Sequence, residues 1–173
     1  LYTNADKGFK SFEEMIEFAR ENPNVVSWAG RYPELSDYHY LTASLLEDLA
    51  DIKFAFVPFD GGAEVRTAIM GNHIKVGSGG VSEFSQDVKE GKTRCLVLFS
   101  DKPHPLMPGA PLAKDLGYDI VTGATRGLAV PAGTPQDRVD ILVNAIRKVY
   151  EDEEFLAMSK ERGLYDILDL MYG

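Results

Sequence analysis

The residues of this chain best suited to bind a small molecule form one polar loop, residues 27–39, after the apolar run Val25–Val26. The guanidinium of Arg31 can form a bidentate ion pair with a carboxylate. Ser36 lies where a helical pattern begins, and the free backbone N–H groups of a helix start attract ligand oxygens. His39 follows in the first helical turn. A loop between a strand and a helix is a common binding position in open α/β proteins, so we expect binding here.

Two glycine-rich loops, at Gly61-Gly62 and Gly79-Gly80, are predicted to share a rim with this loop. Glycine has no side chain, so the backbone can approach a ligand closely. Tyr32 and Phe59 would supply apolar walls. The predicted ligand-binding residues are Ser27, Gly30, Arg31, Tyr32, Ser36, His39, Phe59, Gly61, Gly62, Gly79, Gly80 and Val81.

Each of these residues also has a purely structural interpretation. The glycines can simply make tight turns between strands and helices. Ser36 or Asp37 can be a plain helix cap with His39 exposed beside it, and Arg31 can be a solvated loop charge. Trp28 is expected in the core.

Signals for catalysis or for a metal are scarce. The three histidines, His39, His73 and His104, form no pair at a spacing of three or four residues, so no helical metal site is indicated. The segment 77–80 lacks the Gly-Lys-Ser ending of a phosphate loop. Cys95 lies beside an apolar run and is predicted to be a small buried residue. No catalytic set and no cofactor is therefore expected.

The composition restricts the possible partners. The chain has 173 residues, of which 45% are hydrophobic, and a formal net charge of −9, which together indicate an acidic globular protein. Negative charge disfavours nucleic acid and anionic lipid. No apolar run approaches the roughly 20 residues that span a bilayer, so no membrane insertion is expected.

Predicted strands and helices alternate along the chain, which favours a mostly parallel sheet with helices on both faces. The predicted strands are residues 25–29, 54–58, 74–77 and 94–99. Before, between and after these strands, helical spacing indicates six helices. The first is marked by Phe12 to Ala19 and begins at a Ser11 capping box, and the second is marked by Leu41, Leu45, Leu46 and Leu49. The third (Val65 to Ile69), the fourth (Val81 to Val88) and the fifth (Leu112 to Leu116) are expected to end at Gly71, Gly91 and Gly117. The sixth is marked by Val139 to Val149 and begins at Thr134-Pro135.

Two further segments complete this interpretation. Residues 120–130 are predicted to be an extended crossing segment. Asp152 is predicted to cap a last helix that ends at Gly163.

Several motifs, taken in order, resemble the extracytoplasmic solute receptors of tripartite tricarboxylate transporters, the TctC or Bug-type proteins. The motifs lie at residues 9–16, 57–62, 71–83, 90–94, 107–112 and 126–135. The loop after the first predicted strand departs from the family pattern. Ser36 and His39 keep the S-x-x-H spacing, whereas Arg31 to Leu35 replace the small Gly-x-Gly-Ser core, which indicates a different or larger ligand.

The resemblance implies an α/β periplasmic-binding-protein-like (type II) fold of two lobes. Residues 1–8 would be a crossover or hinge, 9–118 the second ligand-binding lobe, and 119–173 the return crossover and the C-terminal part of the first lobe. It also implies that a preceding part of the first lobe lies outside this chain.

In function, the resemblance implies a periplasmic or extracytoplasmic receptor, not an enzyme. It would capture a small organic acid or related polar metabolite for membrane transporter subunits. An effector-binding domain of a cytosolic transcriptional regulator is the alternative, because such domains share the two-lobed fold. A secretory leader upstream would support the receptor, and a helix-turn-helix the regulator. An enzyme using the same crevice is a third hypothesis.

Overall fold

The computed structural model describes residues 1–30, 37–123 and 128–161, in two compact units, Leu1–Ala124 and Thr125–Gly173. Arg31, Tyr32, Ser36 and the predicted helix end at Gly163 lie outside the described residues. The first unit contains β1 (Tyr2–Asn4), α1 (Phe12–Glu21), β2 (Ser27–Gly30), α2 (Tyr38–Ala50), β3 (Ala55–Pro58), α3 (Gly62–Met70), β4 (Val76–Gly77), α4 (Val81–Lys89), β5 (Thr93–Cys95) and a 3₁₀ helix (Ala113–Leu116).

The five strands form one sheet in the order β3-β2-β4-β1-β5. Strand β2 pairs in parallel with both β3 and β4. Strand β1 runs antiparallel between β4 and β5, with Tyr2 opposite Gly77 on one side and opposite Cys95 on the other. The prediction of a mostly parallel sheet is confirmed. Sequence analysis assigned no strand to residues 1–8, although β1 holds β5 to the rest of the sheet.

Helices cover both faces of this sheet, as a mostly parallel sheet requires. Successive strand residues point to opposite faces, and the neighbours Trp28 and Ala29 accordingly belong to two different apolar clusters. The cluster around Trp28 contains the buried side chains of α1 and α2, and the cluster around Ala29 contains those of α3 and α4. Trp28 is fully buried, which confirms its predicted place in the core.

Local capping signals located several helix ends correctly. The Ser11 hydroxyl accepts the Glu14 N–H, Gly117 ends the 3₁₀ helix with a φ of 90°, and the Asp152 carboxylate accepts the Phe155 N–H. Each of these signals depends only on residues within one turn.

One capping prediction was wrong, and another was right in position but not in backbone conformation. Thr134 was expected to cap a helix with Pro135 as its first residue, but the Thr134 hydroxyl donates to the Pro131 carbonyl and Pro135 is the residue before the first turn. Helix α3 ends at Met70 with Gly71 as its cap, as predicted, but Gly71 keeps a right-handed φ of −74°, and Asn72 is the left-handed residue with a φ of 55°.

The buried face of α2 differs from the one its leucines predicted. Leu46 is buried, but Leu41, Leu45 and Leu49 are 50%, 37% and 57% exposed. The buried face of the helix carries mostly small and polar side chains instead. Its buried residues are His39, Thr42, Ala43, Leu46 and Ala50.

The predicted strand at 94–99 is shorter than expected. Regular pairing ends at Cys95, and Leu98 then forms an isolated bridge with Leu112. Cys95 is half-buried rather than fully buried, and desolvation raises the pKa of its thiol. The other predicted strands are also shortened at their starts, to Ser27–Gly30, Ala55–Pro58 and Val76–Gly77.

The described part of the second unit consists of α5 (Gln136–Glu151) and α6 (Glu153–Glu161). The apolar stripe predicted for α5 is present, but no residue of this helix is buried. Within the residues that the structure describes, no helix combines the length and the apolar character needed to cross a membrane.

An ion pair joins α3 to α4, the two helices that contribute to the apolar cluster around Ala29. The guanidinium of Arg66 donates through Nε and Nη2 to both carboxylate oxygens of Asp87, with Nη2 3.0 Å from Oδ1. The Asp87 side chain is only 1% exposed, so the ion pair with Arg66 offsets the cost of burying this carboxylate. The hydrogen bond to Asp87 in turn raises the pKa of the Arg66 guanidinium.

We therefore predict that Arg66→Met destabilises the protein by about 2 kcal/mol, between the values for surface and fully buried pairs. The reason is that Asp87 would keep a desolvated charge with no partner. Thermal unfolding measures the effect, and Lys53→Met, which breaks the exposed pair with Glu47, is the control. Equal losses for both variants would contradict the argument.

Candidate functional site

Three parallel strands end at the same edge of the sheet and bring the predicted loops together. Because β3, β2 and β4 are neighbours in the sheet, the loops that follow them emerge side by side. The Phe59 N–H donates to the Gly30 carbonyl at 2.8 Å, and the Ser78 N–H donates to the Ala29 carbonyl at 3.3 Å. We call this the ligand edge. It holds Gly30, Phe59, Gly61, Gly62, Gly79, Gly80 and Val81 of the predicted set.

Ser27 is not brought to the ligand edge. It lies at the opposite end of β2, about 10 Å from Gly30 at the usual rise of an extended chain. Its hydroxyl accepts the Lys75 N–H at 2.9 Å, a bond between neighbouring strands. A ligand contact of Ser27 stays a prediction, as do those of Arg31, Tyr32 and Ser36, which the structure does not describe.

His39 is buried behind the edge rather than exposed in the first turn of α2. Its Nδ1 atom lies 2.8 Å from the Ser78 hydroxyl oxygen, which also accepts the Trp28 indole N–H at 3.3 Å. A hydroxyl has one proton and two lone pairs, so Ser78 can satisfy both neighbours whichever tautomer His39 adopts. This trio connects β2, the loop after β4, and the start of α2. Ser78 was not among the predicted site residues.

Two of the glycines at the edge are required by packing. A Cβ at Gly79 would lie 2.4 Å from the Phe84 ring, and one at Gly30 would lie 2.8 Å from the Phe56 ring. For these positions the structural interpretation is sufficient. Gly61 is different: a Cβ there would meet no atom within 4 Å. Packing alone therefore does not require glycine at 61, which leaves close approach of a ligand as a reason for it.

The three helices that begin at the edge each carry their own carboxylate. A carboxylate at a helix start satisfies backbone N–H groups and offsets the positive end of the dipole. A second anion approaching the same amides would meet this negative charge. The pairs are Asp37 with the His39 N–H at 2.9 Å, Glu64 with the Asp60 N–H at 3.2 Å, and Glu83 with the Gly80 N–H at 3.1 Å.

Tyr2 lies beside the same edge and was missed by sequence analysis. Its ring stacks on Phe84 with centroids 4.1 Å apart, and the residue is 1% exposed. Burial, followed by the nearby Cys95, Glu83 and Tyr38, raises the pKa of the phenol well above its usual value. Tyr2 therefore remains protonated and is a hydrogen-bond donor. The only signal in the sequence was the strand-forming run Leu1 to Thr3.

No group of three or more histidine, cysteine, aspartate or glutamate side chains within the described ranges is arranged to hold a metal ion.

Comparison with known proteins identifies the relatives of this chain. A family model described as "Tripartite tricarboxylate transporter family receptor" matches residues 1–166. A protein of Cupriavidus necator, described as "UPF0065 protein in gbd 5'region", is 28% identical over 151 residues, which are 87% of this chain and 45% of that protein.

Solved structures show the same fold. A TctC solute binding protein from Polaromonas, without ligand, is 25% identical with a TM-score of 0.74. MatC from Rhodopseudomonas palustris, with bound malate, is 20% identical with a TM-score of 0.78. In each case 94% of this chain covers 55% of the other. The chain thus spans about half the length of the proteins it matches.

These likenesses confirm the expected periplasmic-binding-protein-like α/β class. The matched family is one of receptors, which agrees with the expectation that the chain is not an enzyme.

The shared Ser78 hydroxyl gives a stability prediction. Ser78→Ala removes the acceptor of the Trp28 N–H and one partner of His39, so we expect a loss of about 1–3 kcal/mol. Ser82→Ala, on the first turn of α4, is the control, since alanine favours helices. Chemical denaturation of both variants measures the difference. A Ser78→Ala protein as stable as the control would show that the trio contributes nothing.

Proposed function

Because this chain belongs to the tripartite tricarboxylate transporter receptor family, we propose that the complete protein is a periplasmic solute receptor. It captures a small organic acid or a related polar metabolite and delivers it to membrane subunits of a tripartite tricarboxylate-type transporter. Binding would shift the population toward a form that the transporter recognises. The observation that carries the proposal is the ligand edge, where the loops after β2, β3 and β4 meet.

The edge offers backbone to a ligand. The open space around Gly61 allows ligand atoms to approach the start of α3 at van der Waals distance. Phe59, which packs against the apolar cluster around Ala29, supplies an apolar wall. From the sequence we further propose Arg31 as a source of positive charge, Ser36 as a hydrogen-bond donor and Tyr32 as a second wall.

The charges at this edge narrow the chemistry of the ligand. Glu64 and Glu83 already accept backbone N–H groups at the starts of α3 and α4. A ligand carboxylate would compete with them and be repelled. We propose that hydroxyl, carbonyl or amide oxygens of the ligand meet these two helix starts, and that Arg31 binds its carboxylate.

Ligand-induced stabilisation tests the receptor function. The complete protein is titrated with malate, with other hydroxy- and oxo-acids, and with simple saturated dicarboxylates. A true ligand at a hundred times its Kd should add about 2.7 kcal/mol of stability, seen as a rise in Tm. We expect hydroxy- and oxo-acids to bind more tightly than saturated dicarboxylates of equal length. Absence of any shift across the panel would refute the organic-acid receptor.

A variant pair tests whether the ligand uses the edge. Gly61→Ala places a methyl group in open space and should weaken binding at least fivefold, at a small cost in stability. Gly123→Ala is the matched control, because a Cβ there also meets no atom within 4 Å and Gly123 is not part of the edge. Calorimetric titration compares the two, and equal affinities would place the ligand elsewhere.

A further inference from the structure

The phenol oxygen of Tyr2 is buried and has no hydrogen-bond partner among the residues that the structure describes. Buried hydroxyl groups nearly always have a hydrogen-bond partner, because burial removes their bonds to water and a missing partner leaves that free-energy cost uncompensated. A buried hydroxyl donor without an acceptor is therefore a position where a ligand can supply one.

The position of the ring places this oxygen close to the ligand edge. Tyr2 pairs with Gly77, the last residue of β4, from which the chain continues into the loop of Ser78 and Gly79. The ring is stacked on Phe84, and the Phe84 ring lies directly under Gly79.

The charged and polar groups that act on the phenol support the same location. Glu83, on the first turn of α4, and Tyr38, the first residue of α2, both act on its pKa. The phenol therefore lies within electrostatic range of residues at the starts of two helices that border the ligand edge. Its raised pKa keeps the proton on the oxygen, so the group donates.

We propose that the Tyr2 hydroxyl donates a hydrogen bond to an oxygen of the bound ligand and determines specificity at this edge. This inference rests on the proposed receptor function. The ligand oxygen reaches the phenol when the Glu83 side chain, which is exposed, moves away from the Gly80 amide. The preferred ligand has a hydroxyl or carbonyl oxygen that can lie beneath the first turn of α4.

The test is Tyr2→Phe, which keeps the ring and its stack on Phe84 and removes only the hydroxyl. Thr93→Val is the matched control. The Thr93 hydroxyl is also buried without a partner, and Thr93 faces Asn4 at the far end of the same strand pair. Both variants remove a buried, unpartnered hydroxyl, so both should leave the Tm of the unliganded protein unchanged or raised.

Affinity separates the two variants. With whichever organic acid of the panel stabilises the wild type, we expect Tyr2→Phe to raise Kd about tenfold, the effect of one lost hydrogen bond. Thr93→Val should leave Kd unchanged. A series of analogues, each lacking one oxygen of that acid, extends the test. We expect the analogue without the oxygen that the phenol contacts to have the same Kd for Tyr2→Phe and for the wild type.

Three results would overturn the proposal. An unchanged Kd for Tyr2→Phe would make the phenol a packing group only. A lower Tm for Tyr2→Phe with unchanged Kd would show that the phenol has a structural partner such as a water molecule. A wild-type protein that binds nothing in the panel would refute the receptor function itself and this inference with it, and is distinct from the first two results.

Discussion

The hydroxyl of Ser78 holds together the parts of the molecule on which the ligand edge depends. It accepts the indole N–H of Trp28 from the centre of β2 and bonds His39 from the start of α2. Ser78 itself follows β4, and its N–H donates to the Ala29 carbonyl. One oxygen atom thereby links the middle of β2, the residue after β4 and the first turn of α2. The described residues on both sides of the segment 31–36 are thus tied to the same side chain.

Electrostatics at the edge separate this chain from a simple anion receptor. Free helix starts attract anions through their N–H groups and dipoles, but here Asp37, Glu64 and Glu83 already use amides at all three starts. The formal net charge of −9 adds to the same field. The proposed organic-acid ligand would therefore meet these helix starts through its uncharged oxygens. In that proposal the Tyr2 phenol would contribute a hydrogen bond without a charge.

Strand β1 gives the sheet a feature that a purely alternating βα chain lacks. It enters antiparallel between β4 and β5, so its first residues arrive at the same edge where β4 ends. This reversal carries Tyr2 to the ligand edge and leaves Asn4 at the opposite end. There the Asn4 side chain donates to the Met70 carbonyl and accepts the N–H groups of Asp6 and Lys7. The segment is thus anchored at one end and presents a donor at the other.

The sequence by itself determined the features that depend on neighbours within a few residues. The cap at Ser11, the left-handed Gly117, the cap at Asp152 and the alternation of apolar runs all follow from local geometry, and with the ordered motifs they suffice for the fold class. Only the tertiary structure decided which side of α2 is buried, since Leu41, Leu45 and Leu49 are as apolar as Leu46 and differ only in the direction they face. It also decided the bond of Ser78 to Trp28, 50 residues away, and to His39, 39 residues away. Tyr2 reached the edge in the same way, because β1 pairs with strands more than seventy residues further along the chain. Contacts of this range arise from the packing of the whole sheet, and no local pattern of residues records them.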